Sequence, residues 1–174
     1  LAIMIAVHNS VGALPVFRFG NDEQRRRFLP RLVSKELGAF SLSEPSSGSD
    51  AGSIEATATR EGGHYVLNGG KNWVTNGEQA GIVLIFARTD KAAGNRGLSA
   101  FVVERGTPGL VIGRAEDKMG LRGSDTVGLT LTGLEVPIDQ RLGEEGEGFR
   151  IAMSMLDTGR IGVAAQALGV MRAA

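Results

Sequence analysis

The sequence predicts an α+β chain of more than one domain, with an antiparallel β sandwich or barrel set between parts of two helical domains. Three observations carry this. Apolar residues recur with helical spacing at both ends, and the stretch between them breaks into short strand-like runs separated by turn residues. Gly makes up 26 of the 174 residues without a repeat to account for it, which fits a strand-rich domain with many tight turns. The expected boundaries are 1–37 for the end of a first helical domain, 38–145 for the β domain and 146–174 for the first helix of a second helical domain.

Within 1–37, Asn21 is a helix N-cap, Asp22 and Glu23 suit the positive end of the helix dipole, and Gln24 sits at the capping-box position. Phe28, Leu29 and Leu32 form an apolar stripe, and Pro30 is expected to kink or end this helix. The opening apolar run Leu1–Val7 is too short to span a bilayer and has no charged leader or cleavage site, so no transmembrane segment is expected.

From Gly38 the pattern changes. His64–Leu67 runs into Asn68-Gly69-Gly70, a hairpin-like signal. Gly81–Ala87 and Leu98–Val103 are continuous apolar strands flanking the polar loop Arg88–Gly97, and Leu110–Ile112, Val127–Leu131 and the closing Val136-Pro137 complete the set. After Gly148 the helical period returns, with Phe149, Ala152, Met153 and Leu156 at i, i+3, i+4 and i+7, and Ile161, Ala164, Ala165 and Leu168 repeating that spacing. The chain lacks an initiator Met, and its last helix stops without a cap or breaker, so both ends read as cut from something longer.

Composition narrows function. Hydrophobic residues make up 42% and charged ones 22%, as in a soluble globular protein, and 19 basic residues balance 19 acidic ones. That balance argues against nucleic acid as the main partner. The absence of Cys excludes disulfides and thiolate chemistry. His8 and His64 stand apart, without metal-site spacing. There is no Gly-x-Ser-x-Gly elbow and no GxGxxG fingerprint.

Three local features bear on chemistry. The Ser-rich loop Phe40–Asp50 can offer several N–H and O–H donors to an anionic or carbonyl-rich ligand, or can be a solvated turn. Trp73, the only Trp, and nearby Thr75 can stack on a flat ring and bond its edge, or Trp73 can be a core residue on a strand ending at Asn76-Gly77. Asp157 and Arg160 share a helix face, either as a binding pair or as a solvated ion pair. Gly159 between them costs about 1 kcal/mol relative to Ala unless close approach repays it.

In this order and spacing, the features resemble the acyl-CoA dehydrogenase family, and its short-chain members in particular. The motifs are Phe40–Asp50, Leu67–Gly77, Lys118–Thr126, Gly148-Phe149 and Leu156–Gly162, so the likeness covers essentially the whole chain. The resemblance implies FAD as cofactor, bound by Phe40, Leu42, Ser43, Gly48, Ser49, Trp73, Val74 and Thr75. It implies an acyl-CoA substrate contacted by Ser49, Asn95, Asp157 and Arg160, with Val74 standing where Ile is commoner.

The reaction implied is α,β-dehydrogenation to a trans-2-enoyl-CoA in fatty acid β-oxidation. Electrons would leave to an electron-transfer flavoprotein, and the catalytic Glu would lie beyond Ala174, so no catalytic residue is assigned here. A homotetramer in a bacterial cytoplasm or mitochondrial matrix is implied for the parent. An acyl-CoA oxidase, a flavin monooxygenase or a non-catalytic flavin-binding homologue on the same scaffold are the alternatives.

Overall fold

In the computed structural model, which describes residues 1–174, an 18-residue helical run opens the chain. It comprises α1 (Ala2–Val7), a π-helical stretch (His8–Ala13) and α2 (Leu14–Phe19). The run is longer than the expected apolar opening because polar residues in its middle find partners without breaking it. The Ser10 hydroxyl donates to Ala6 O (2.5 Å), and His8 Nδ1 accepts from Gly38 N (2.9 Å). By length and composition this run could cross a membrane, but Val11, Gly12, Pro15 and Val16 are buried against the rest of the chain. Gly12 meets the backbone of Gly38 so closely that a Cβ would lie 2.9 Å from it, so both positions must be Gly.

α3 (Asp22–Ser34) starts as its caps require: Asn21 Oδ1 accepts from Gln24 N (2.8 Å) and Gln24 Oε1 accepts from Asn21 N (3.0 Å). Pro30 does not end it; the helix runs on to Ser34. Tertiary contacts outweigh the lost backbone bond. Phe28 and Leu32 are fully buried, Arg27 and Arg31 each pair with Glu104 (2.5 Å), and Gln24 Nε2 donates to Asp139 O and Arg141 O. Burial opposes ionisation of Glu104, but hydrogen bonds from Arg31 and Arg27 outweigh it and hold the carboxyl below its ordinary range.

Eight strands follow: β1 (Leu37–Ser41), β2 (Thr57–Glu61), β3 (His64–Thr75), β4 (Ala80–Arg88), β5 (Leu98–Glu104), β6 (Leu110–Ala115), β7 (Thr126–Pro137) and β8 (Arg141–Leu142). Their order is β6-β7-β3-β2-β4-β5-β8, with β1 also paired to β4. The ladders are antiparallel except β1–β4 and the short β2–β4 contact, which are parallel and were not foreseen. β1 arrives from a helix rather than a hairpin, which allows the parallel pairing.

The hairpin signal at Asn68-Gly69-Gly70 is also corrected: β3 runs straight through it. The β2–β3 turn is Gly62-Gly63, with Gly62 at φ +57°. Gly69 is required instead by packing, since a Cβ there would sit 2.7 Å from Ala56 Cβ.

Two cores explain the continuous apolar strands. In β4, Ala80, Val83, Ile85 and Ala87 enter a core between the faces of the folded-over sheet. Ile82, Leu84 and Phe86 enter a second core with Val16, Phe28, Leu32, Ile151 and Ala152. A strand covered on both faces has no polar positions to alternate with.

α4 (Gly148–Ala173) seats its first turns there, burying Ile151, Ala152 and Met155. Beyond Leu156 the apolar spacing is not matched by burial: Ile161 and Leu168 are exposed. The opening helical run touches this half only along one side, where a Cβ at Gly162 would meet Ala6 Cβ at 3.5 Å.

Candidate functional site

A cleft of about 380 Å³ opens where β1 and its following loop, β3, the opening helical run and α4 meet. One wall is Phe40, Leu42, Ser43, Gly48, Ser49 and Ala51; the facing wall is Asn72, Trp73 and Thr75. Val7 and Val11 line it from the opening run, and Met153, Leu156 and Arg160 from α4. Thus Phe40, Leu42, Ser43, Gly48, Ser49, Trp73, Thr75 and Arg160, all expected from sequence, meet in one place.

The Ser-rich loop folds back at Glu44 and Ser47, which exchange backbone hydrogen bonds of 2.8 and 3.1 Å. The Ser47 hydroxyl is spent internally, donating to Asp50 O (2.6 Å). Ser43 and Ser49, and Thr75 across the cleft, keep hydroxyls that no other group of the chain engages. They are free to bond a ligand.

Trp73 is not a core residue. Asn72 and Trp73 together oppose Gly128 in the β3–β7 ladder, a bulge that turns the indole outward. It is 61% exposed, with φ +60°, a backbone region that bulky residues rarely occupy. Strain of this kind persists only where the surroundings enforce it, and it clusters at ligand sites.

Three expected site residues lie elsewhere. The Val74 side chain points into the core, because the residue after the bulge resumes the inward face of β3. Asn95 is exposed on the short 3₁₀ turn Gly94–Gly97 and packs behind the loop at Gly52. Asp157 pairs with Arg160 on the exposed face of α4 and does not line the cleft. Gly159 is not forced by packing, since a Cβ there would meet Val11 and Ser10 at ordinary distances of 3.6 and 3.7 Å. It instead borders an apolar extension of about 480 Å³, between Ala6, Val7, Ser10 and Val11 on one side and Leu156, Val163, Ala164 and Ala167 on the other.

The sequence reading missed the pair that joins the two walls. Lys71 Nζ lies 2.7 Å from Glu44 Oε1 and donates to Leu42 O (3.2 Å). The Glu44 carboxylate accepts from Glu55 N (2.6 Å) and Ala56 N (3.1 Å), and Asn72 N donates to Ser43 O (2.9 Å). Burial pushes the Lys71 ammonium down to about 8, and the adjacent Glu44 carboxylate only partly offsets it. The signal was available: Tyr65, Leu67 and Lys71 fall on the same period-two face, so a charge at an inward position demanded a partner.

With this geometry in hand, comparison with known proteins gives the class. The acyl-CoA dehydrogenase middle domain matches residues 39–134, and the acyl-CoA dehydrogenase N-terminal domain matches residues 1–36. The chain belongs to the acyl-CoA dehydrogenase family. It is 50% identical over 175 residues to an acyl-CoA dehydrogenase of Bacillus subtilis, covering all of this chain and 46% of that one. Butyryl-CoA dehydrogenase from Megasphaera elsdenii superposes with a TM-score of 0.96 at 48% identity, over 98% of this chain and 45% of that one. An acyl-CoA dehydrogenase of Bacillus anthracis solved with FAD gives a TM-score of 0.85 at 41% identity, over 92% of this chain and 27% of that one. The chain therefore spans less than half the length of these relatives.

Proposed function

We propose that these residues form the flavin and thioester cradle of an FAD-dependent acyl-CoA dehydrogenase acting on short acyl-CoA substrates. The observation that carries this is the strained, exposed indole of Trp73 facing the unengaged hydroxyls of Ser43 and Ser49, with Thr75 beside it. Phe40, Leu42, Ser43, Gly48, Ser49, Trp73 and Thr75 would hold FAD, the indole covering the ring while hydroxyls and backbone bond its polar edge. FAD, when bound, supplies the acceptor for a hydride from the substrate β-carbon. A cleft of about 380 Å³ is at the small end of ligand pockets and suits the ring system rather than the whole dinucleotide.

The apolar extension beside Gly159 suits an acyl chain, and Arg160, the one charged side chain in the cleft, suits the CoA portion. Asp157 would serve by orienting Arg160. These groups bind, align and exclude water, which accounts for a large share of catalysis when two C–H bonds must break in register. No carboxylate lines the cleft, so the base that takes the α-proton comes from outside these residues. Electron-transfer flavoprotein as acceptor, a homotetrameric parent and continuation of α4 into a C-terminal helical domain belong to the same reading.

The test is the native protein purified gently. It should be yellow, retain FAD through gel filtration, and bleach when butyryl-CoA is added without air. A colourless protein that takes up no FAD would sink the proposal. Slow reoxidation of the product-bound protein in air separates a dehydrogenase from an oxidase.

A further inference from the structure

We infer that the buried Lys71–Glu44 pair positions the cleft, joining its two walls into one rigid frame before any ligand arrives. This deepens the flavin reading and rests on it. Leu42 and Ser43 stand on one wall, Asn72 and Trp73 on the other, and no strand pairing joins β1 to β3 directly. One backbone bond, Asn72 N to Ser43 O, crosses between the walls, and the rest of the link is side-chain chemistry: Lys71 holds Glu44 and Leu42 O, and Glu44 holds the N–H groups of Glu55 and Ala56.

A stability role does not explain this arrangement. Lys71 is 1% exposed, and its depressed pKa shows that desolvation exceeds what Glu44 returns. Two apolar side chains of similar volume would avoid the cost of burying charge, though they would leave the N–H groups of Glu55 and Ala56 unpaired. They could not make directed bonds to both walls at once. A frame fixed in advance spares a ligand the cost of ordering it, so its loss should appear in affinity and residence time.

Neither residue lines the cleft, so substitution leaves every proposed ligand contact in place. The double variant Lys71→Met with Glu44→Gln removes both charges, and the Gln carbonyl can still accept from Glu55 N and Ala56 N. FAD dissociation is measured by flavin fluorescence, and folding by thermal melting. The expected result is an unchanged melting midpoint with FAD bound about tenfold more weakly and released faster. Affinity within about twofold of the unmodified protein, or a loss only in step with melting temperature, would overturn the inference.

Hydrogen exchange on the unmodified protein decides independently, even if the double variant fails to fold. With FAD stripped, the amides of Asn72, Glu55 and Ala56 should keep the protection they have with FAD bound; fast exchange there overturns pre-organisation. If the unmodified protein takes up no FAD at all, the flavin reading fails, while exchange at these three amides still tells whether the walls are joined.

Discussion

Two ion pairs of opposite character border the cleft. Asp157–Arg160 is three residues apart on one exposed helix face, with side chains 71% and 68% accessible. Lys71–Glu44 links residues 27 apart, with side chains 0% and 3% accessible. The first is the kind that spacing reveals, and it contributes little to stability. The second is invisible to spacing, yet it fixes the geometry around which the cleft is built. Pairs close in sequence decorate elements; pairs distant in sequence relate them.

Breaking the buried pair on one side only gives the largest expected effect. Lys71→Met alone leaves Glu44 buried without its cation and should destabilise by about 3–5 kcal/mol in urea unfolding. Restoring neutrality with Glu44→Gln should recover most of that loss. The pair also sets a pH dependence. Lys71 titrates near 8 when folded and at 10.5 when unperturbed, so between these values the unfolded chain holds a proton that the folded chain has released. Stability from this group therefore rises as pH climbs through that window and is fully penalised below it. Measured against the double variant, the unmodified protein should gain stability from pH 8 to 10.5; a flat difference would contradict the depressed ammonium.

Between the two pairs stands Trp73. Trp73→Gly suits the left-handed backbone and should raise stability by about 1 kcal/mol while abolishing FAD retention. Thermal melting and flavin absorbance on the same sample check both halves. At the exposed pair, Arg160→Gln should leave stability within about 0.5 kcal/mol of the parent. Its effect should appear as several-fold weaker binding of the CoA thioester by calorimetry, with FAD content unchanged.

The same contrast explains what was legible in the sequence. Asn21 and Gln24 announced the start of α3 because capping is settled within four residues. The apolar runs of β4 and β5 announced strands because burial on both faces leaves no other pattern. Pro30 misled because the compensating bonds of Arg27 and Arg31 to Glu104 come from more than 70 residues away. Asn68-Gly69-Gly70 misled because its glycine answers to Ala56, not to a turn.

In the site, Phe40 to Ser49 and Trp73 to Thr75 were found through motif likeness. That likeness could not separate Val74, whose side chain faces inward, from its neighbours. Val7 and Val11 went unnoticed because their i, i+4 spacing marks a shared helix face without saying what that face meets.

One consequence of the β3 bulge is optical. It brings the chain's only indole to the surface at the mouth of the cleft, so the indole emission of these 174 residues comes from a single lamp hung over the entrance. A flat, light-absorbing guest settling against that ring would dim it in proportion to occupancy, and the molecule would report its own filling without a label.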